Sequence, residues 1–310
     1  MKLCTATAFP GLPIIFAEGY REGRVSMHGH ISISLTSVDE SVKTETTVEK
    51  SGESVFLVDG KPLDDGRGKG MLELRDIMLG KSKENLKLKI HSKNHGILSG
   101  SSDSGAAALT LALDKLLNLN LSINELHEIA RHGSETAYRS LYGGLSEYYL
   151  KPDGTPHARE LLHAQELKDI SICAIPFEYP RHSADALHLN VVKHPEYKQR
   201  ILDVGSRIHE FKGRLVERDF SKCLQLMEDD AKQVHKMFED VGFTVRQGKM
   251  LELCNRVEQW RKSGLECYWN VAGGSVVYVF TTKRHRLKLM EKLHGYQNFE
   301  YKVAGPALVV

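Results

Sequence analysis

The stretch Asn94-His95-Gly96-Ile97-Leu98-Ser99-Gly100-Ser101-Ser102-Asp103-Ser104-Gly105 runs directly into Ala106-Ala107-Ala108-Leu109. Small and hydroxyl-bearing residues give way at once to a helix-forming segment. Several backbone N–H groups then point outward at the positive end of a helix, a ready seat for phosphate. A Gly/Ser-rich turn before a helix also serves as a plain cap, so the pattern alone leaves both readings open. The loop lacks the Gly-Lys-Ser/Thr ending of a Walker A motif, and no G-x-G-x-x-G follows an N-terminal strand. A phosphate-binding fold of another type is called for.

Around this loop the pattern of the chain changes. Before it, Leu3–Phe9, His30–Leu35, the alternating Lys43–Lys50, Ser54–Val58 ahead of Asp59-Gly60, and Leu86–His91 read as strands. After it, apolar residues recur at helical spacing from Ser104 to about Leu117 and from Ile123 to about Ser140, with Ser122 and Glu125 forming a capping box. Lys151–His157 is turn-prone, and the compact apolar strand Ile170–Phe177 opens a second domain. Helices are expected over Glu196–Leu215, Phe220–Val241 and Lys249–Lys262, then a strand at Val276–Thr281, a helix near Arg284–Leu293 and a strand near Phe299–Val303. The fold class is α+β, with domains at 1–167 and 168–310.

The 310 residues are 41% hydrophobic, enough to fill such cores, and carry 42 Lys+Arg against 40 Asp+Glu. That balance creates no global field for nucleic acid, while local arginines can still meet anionic small molecules. Cys4, Cys173, Cys223, Cys254 and Cys267 are odd in number and never spaced C-x-x-C, which fits reduced, packed thiols and a cytoplasmic setting. No signal-peptide pattern opens the chain, and no apolar run is long enough to span a bilayer.

Four segments together resemble the GHMP kinase superfamily: Gly96–Gly105, Ser134–Leu145 (SETAYRSLYGGL), Phe177–Arg200 and Tyr268–Tyr278 (YWNVAGGSVVY). Within it they resemble the diphosphomevalonate decarboxylase branch, and there the archaeal mevalonate 3-kinase type. That type is similar in its Gly/Ser loop, its S-E-x-A-x-R-S-L segment and its F-x-Y-x-R…D-x-x-H-x-N stretch. The resemblance implies a two-domain GHMP kinase fold, with an N-terminal domain like one found in a ribosomal protein and a ferredoxin-like C-terminal domain. It also implies an active site in the interdomain cleft, ATP and Mg2+ as cofactors, mevalonate or a phosphorylated derivative as acceptor, and a homodimer.

Arg139 lies at i+4 from Glu135, so on a continuous helix both project from one face, where a guanidinium grips a carboxylate and Glu135 accepts from a hydroxyl. The same spacing also makes an ordinary solvated ion pair. The adjacent Gly143-Gly144 allows close backbone approach to a ligand. Arg181, after Tyr179-Pro180, is placed to reach into a cleft. The resemblance carries substrate binding onto Ser99, Glu135, Arg139 and Arg181. It puts Gly100, Ser101, Ser102, Asp103, Ser104 and Gly105 beside nucleotide phosphates, with Ser102 offered to magnesium. The decarboxylases carry a small neutral residue at the Asp103 position. Unpaired beside polyphosphate, Asp103 would repel it, so it is expected to face magnesium, another cation or solvent.

No catalytic residue is assigned. In the decarboxylases an aspartate opens the D-A-G-P-N segment; here Val271 stands at that place, and Phe16 or a neighbour stands where they have an N-terminal lysine. Without that carboxylate, positive charge developing on a tertiary carbon loses its stabilisation, which favours stopping at a phosphorylated product. The 3-kinase type has threonine there, whose shape valine keeps without the hydroxyl. The implied activity is phosphorylation of the 3-hydroxyl of mevalonate. The alternatives are a lyase of the same fold acting on a phosphorylated mevalonate, or a non-catalytic nucleotide-binding paralogue. His28 and His30 share a strand face without a third ligand and are given no metal, and Lys283-Arg284-His285-Arg286 reads as a solvated charge run.

Overall fold

A computed structural model describes residues 2–21, 25–63, 68–180, 182–272 and 274–310. The first part of the chain forms β1 (Leu3–Ala8), β2 (Gly11–Ile15), β3 (Tyr20–Arg21), β4 (Val25–Ser26), β5 (His30–Ser37), β6 (Lys43–Ser51), β7 (Val55–Val58) and β8 (Lys61–Pro62). There follow α1 (Lys69–Ser82), β9 (Lys87–His95), α2 (Ser101–Leu117), α3 (Ile123–Gly133), α4 (Tyr138–Tyr142), β10 (Leu145–Leu150) and β11 (Pro156–Leu162). The remainder is β12 (Ile170–Pro176), α5 (Ala184–Val191), α6 (Tyr197–Val216), α7 (Phe220–Asp240), α8 (Gly248–Lys262), β13 (Cys267–Asn270), β14 (Val276–Thr282), α9 (Arg286–Lys292), β15 (Phe299–Val303) and β16 (Leu308–Val309).

One sheet has the order β16-β1-β6-β9-β7-β8, antiparallel except for β7 beside β9. Alternation along β6 puts Thr44, Thr46 and Val48 inward, and β9 does the same with Leu88, Ile90 and Ser92. Against this face lies α2, whose buried Ala106, Ala107, Ala108 and Ala112 let the helix sit close to β1 and β6. The second sheet has the order β11-β10-β5-β15-β12-β14-β13, with β2 also on β5. It crosses the expected domain boundary: Val303 of β15 pairs with Leu35 of β5. The core beneath it draws on both halves, from Leu12, Ile31 and Ile33 to Ile172, Met227 and Phe280.

The helix expected from Ile123 to about Ser140 is two. Its predicted capping box forms, but α3 stops at Gly133, and Ser134 is extended at φ −156°. The reason is tertiary: a Cβ on Gly133 would lie 2.9 Å from both Ala106 Cβ and Met71 Sδ, so the backbone there packs against α1 and α2. α1 was not expected, because apolar Met71, Leu72, Leu74, Ile77, Met78 and Leu79 surround it too evenly for a clear helical stripe. The hairpin of β10 and β11 was also not expected; its two strands flank the turn-prone segment at Lys151.

Candidate active site

Gly100, at φ +80°, immediately precedes α2, which begins at Ser101 rather than Ser104. A Cβ at Gly100 would lie 2.7 Å from the Gly11 carbonyl oxygen, so the loop rests directly on β2 and only glycine fits. No side chain caps α2, and Ser101 and Ser102 are exposed in its first turn. Hydroxyls and uncapped helix N–H groups are thus presented to an anion. Ser104 is turned inward, its Oγ 2.7 Å from Thr44 Oγ1, and Gly105 backs onto Met71.

Asp103 is buried at 1% exposure. Its Oδ1 accepts from Ser134 Oγ and Thr136 Oγ1, each at 2.7 Å, and its Oδ2 accepts from Arg139 Nε at 2.8 Å. Of the expected surroundings, magnesium, a cation or solvent, it is a cation that Asp103 meets: the guanidinium of Arg139. Because the chain is turned rather than helical between Ser134 and α4, Glu135 and Arg139 do not share a helical face. Arg139 instead lies across Gly11, where a Cβ would meet its Cδ at 2.1 Å. Its Nη2 donates to Thr136 Oγ1 at 2.5 Å.

Glu135 faces the second half of the molecule. His188 on α5 places Nε2 3.2 Å from Glu135 Oε1, and its Nδ1 accepts from the Gly19 N–H at 3.0 Å. Tyr20 packs against the same imidazole, tilted by 37° with ring centroids 5.1 Å apart, and donates to Asp185. The loop residue Ser99 reaches Tyr278 of β14, oxygen to oxygen at 2.9 Å. Ser99, just ahead of α2, and Glu135 therefore border the seam between the halves.

Val271, at the end of β13, is fully buried in an apolar cluster that includes Phe16, Trp269 and Ile175. Its carbonyl accepts from His235 Nε2 at 2.8 Å, and the Phe16 ring meets His235 edge-on at 5.6 Å. Burial, with Arg246 nearby, pushes His235 down to about 3, so its ring is neutral at ordinary pH. The Phe16 N–H donates to Asp230 at 2.8 Å. Asp230 also receives Arg200 through two bonds, at 2.5 and 2.9 Å, as well as Arg207. Arg200 reaches Glu18 with its Nε. Burial opposes the charge on Arg200, but Asp230 and Glu18 outweigh it and hold the guanidinium protonated. The segment from Phe16 to Gly19 is thereby fixed from several sides, since Tyr197 and His28 both reach the Glu18 carbonyl.

Two family models match this sequence: a diphosphomevalonate decarboxylase-like N-terminal domain over residues 12–156, and a mevalonate-3-kinase C-terminal domain over 182–286. The mevalonate-3-kinase of Picrophilus torridus is 30% identical over 299 residues, covering 93% of this chain and 90% of that protein. The chain belongs to the mevalonate-3-kinase family. The mevalonate 3-kinase of Thermoplasma acidophilum is 27% identical over 312 residues, covering 97% of this chain and 96% of that protein. The crystal structure of the Thermoplasma acidophilum mevalonate-3-kinase, bound to mevalonate 3-phosphate and ADP, superimposes with a TM-score of 0.91 at 25% identity, covering 100% of this chain and 98% of that one. The two-domain GHMP kinase fold is thus that of the family.

The N-terminal family match holds the Gly100–Gly105 loop, Asp103, Glu135 and Arg139; the C-terminal match holds His188 and Val271. Arg181 lies outside the described residues. Gly143 and Gly144, read as admitting a ligand, admit the protein's own backbone: added Cβ atoms would lie 2.1 Å from Gly305 C and 2.2 Å from Leu162 O. Among the described residues no three His, Cys, Asp or Glu gather as metal ligands, and His28 bonds the Gly29 and Glu18 carbonyls instead. In the charge run, Arg286 pairs with Glu300 and Lys283 with Asp169. His188, Tyr278, Arg200 and Asp230 were missed from sequence, although the D-x-x-H-x-N pattern already contained His188.

Proposed function

We propose that the chain transfers the γ-phosphoryl group of ATP to the tertiary 3-hydroxyl of mevalonate and stops at the phosphorylated product. The observation that carries this reading is the setting of Val271. The position lies beside a neutral His235 and the Phe16 ring, and presents no carboxylate to a tertiary carbon. Expelling phosphate and carbon dioxide requires stabilisation of positive charge at that carbon. Phosphoryl transfer instead depends on positioning and on neutralising phosphate charge, which the loop ahead of α2 serves.

In this reading the nucleotide phosphates lie on Gly100, Ser101 and Ser102, the part of the loop that is turned outward. Arg139 grips the acceptor carboxylate, Ser99 and Glu135 meet its hydroxyls, and Arg181 adds a further contact. The negative charge of Glu135 repels a phosphate at the same place, which favours unphosphorylated mevalonate over its 5-phosphate. The donors available for magnesium are hard oxygens: the Ser102 hydroxyl, phosphate and water, since Asp103 is committed to Arg139. Bound there, magnesium supplies neutralisation of phosphate charge. Five buried, unpaired cysteines fit a cytoplasmic setting.

The test is mass analysis of the products formed by purified protein from ATP and mevalonate. One added phosphate with no carbon dioxide is the expected result. An alkene product with stoichiometric carbon dioxide would establish the lyase, and nucleotide binding without turnover would establish the non-catalytic alternative.

A further inference from the structure

Asp103 occupies the first turn of α2, where it competes with any bound phosphate for the same helix terminus. Its oxygens nevertheless point into the protein, to Ser134, Thr136 and Arg139. Arg139 is held from behind: Nε is spent on Asp103, one Nη2 hydrogen on Thr136, and Gly11 leaves room beneath its Cγ and Cδ. A guanidinium carries five donor hydrogens, so the outer Nη1/Nη2 edge keeps a fork for a carboxylate.

We propose that Asp103 is a positioning residue coupling the two substrate seats: it aims Arg139 at the acceptor, and Arg139 in turn screens the Asp103 charge from the nucleotide phosphates. This rests on the reading that Gly100 to Ser102 seats the nucleotide and Arg139 the acceptor carboxylate. The two charges are each other's neutralisation. Removing Arg139 exposes the phosphate seat to an uncompensated anion one residue from Ser102, while removing Asp103 leaves the nucleotide seat intact and lets the guanidinium wander.

The experiment uses the full chain as Asp103→Ala, Arg139→Ala and the double variant, with Mg-ADP affinity measured by calorimetry and mevalonate kinetics measured separately. Asp103→Ala is expected to raise the mevalonate KM about tenfold, the loss of a charged hydrogen bond, with Mg-ADP affinity held or tightened. Arg139→Ala is expected to weaken Mg-ADP by about tenfold, and the double variant to recover wild-type Mg-ADP affinity while staying defective toward mevalonate. An unchanged mevalonate KM in Asp103→Ala, or a double variant that binds Mg-ADP no better than Arg139→Ala, overturns the proposal. So does a lowered melting temperature with both affinities intact, the mark of a purely structural pair. If Arg139→Ala does not fold, Arg139→Gln takes its place, and the Asp103→Ala arm stands by itself. The Mg-ADP arm does not depend on the acceptor, so a wild-type protein that binds Mg-ADP yet leaves mevalonate unchanged refutes the kinase reading, while the three variants still decide whether Arg139 screens Asp103 from the phosphates.

Discussion

His188 joins two segments far apart in sequence: its Nδ1 accepts from the Gly19 N–H at 3.0 Å, and its Nε2 lies 3.2 Å from Glu135 Oε1. A hydrogen on Nδ1 would face the Gly19 hydrogen, so the ring carries its proton on Nε2 and donates to Glu135. The tautomer is set by the backbone at Gly19, and the carboxylate it orients is Glu135, on the turn ahead of α4. Replacing His188 with Phe keeps a ring packed against Tyr20 and removes both hydrogen bonds. A hydrogen bond to a charged group contributes about 1.5–3 kcal/mol, so the mevalonate KM should rise about tenfold or more while nucleotide affinity stays level. His188→Gln, which still reaches Glu135 with an amide, should recover part of the loss. Equal KM values for wild type and His188→Phe would show that the contact does not serve the acceptor.

Gly11→Ala places a methyl group 2.1 Å from Arg139 Cδ and 2.3 Å from its Cγ. The backbone there is ordinary strand, so the fold accepts alanine and the arginine must move. A displacement of about 1 Å in a positioning group costs on the order of 100-fold in rate, so kcat/KM for mevalonate should fall by about that much. Steady-state kinetics on folded Gly11→Ala at wild-type level would contradict the placement of Arg139.

Gly143 combines φ +66° with a Cβ position 2.1 Å from Gly305 C, both backbone constraints. Alanine there should cost about 2–5 kcal/mol, from left-handed strain and overpacking together. Denaturant titration gives the number directly. A loss under 1 kcal/mol would mean that the crossing of residues 143 and 305 is loose.

Burial, with smaller contributions from Arg131 and His157, holds His127 at about 3, and burial with Arg246 holds His235 at about 3, against an ordinary 6.5. Both native values lie below the unfolded one. Below pH 6.5 the unfolded chain takes up protons that the native state refuses, so stability present above that pH is lost as pH falls toward 3. Each such histidine steepens the loss by about 1.4 kcal/mol per pH unit. Neither ring nitrogen of His127 meets a protein partner, and its ring packs edge-on against Tyr138 and Tyr148. His127→Phe should therefore flatten the acid limb and leave neutral stability equal or higher. Denaturation midpoints at pH 7, 6 and 5 that fall as steeply in the variant as in wild type would refute this.

Elements whose residues repeat in step with their own geometry were legible in the sequence. β6 alternates in sequence and in burial, and α6, α7 and α8 carry apolar stripes matching their buried faces. The loop ahead of α2 was legible as a turn running into a helix, since glycines and hydroxyls ahead of an alanine run mark a helix start. What escaped was set by contacts at a distance. The break after Gly133 depends on Met71 and Ala106, and the partner of Asp103 lies 36 residues away. Arg200 and Asp230 look like solvated charges on amphipathic helices until Glu18 and the Phe16 N–H are brought to them. Gly143-Gly144 reads in sequence as a pair that lets something come close, and what comes close in the structure is the chain itself.

The pairing of β15 with β5 has a mechanical outcome for turnover. Because hydrogen-bonded rungs from Tyr301↔Ser37 to Val303↔Leu35 stitch one sheet through both halves, the halves cannot swing apart like a clamshell without tearing the sheet. Elements lying outside the sheets are the ones that can shift without breaking that pairing. α5 is one element of the second half that reaches the first, through His188 and the Tyr20–Asp185 bond; α6 and α7 do so as well, through Arg200 to Glu18 and Asp230 to the Phe16 N–H. The molecule resembles a fixed bench, its halves fastened by a shared sheet and by side-chain ties along the edge.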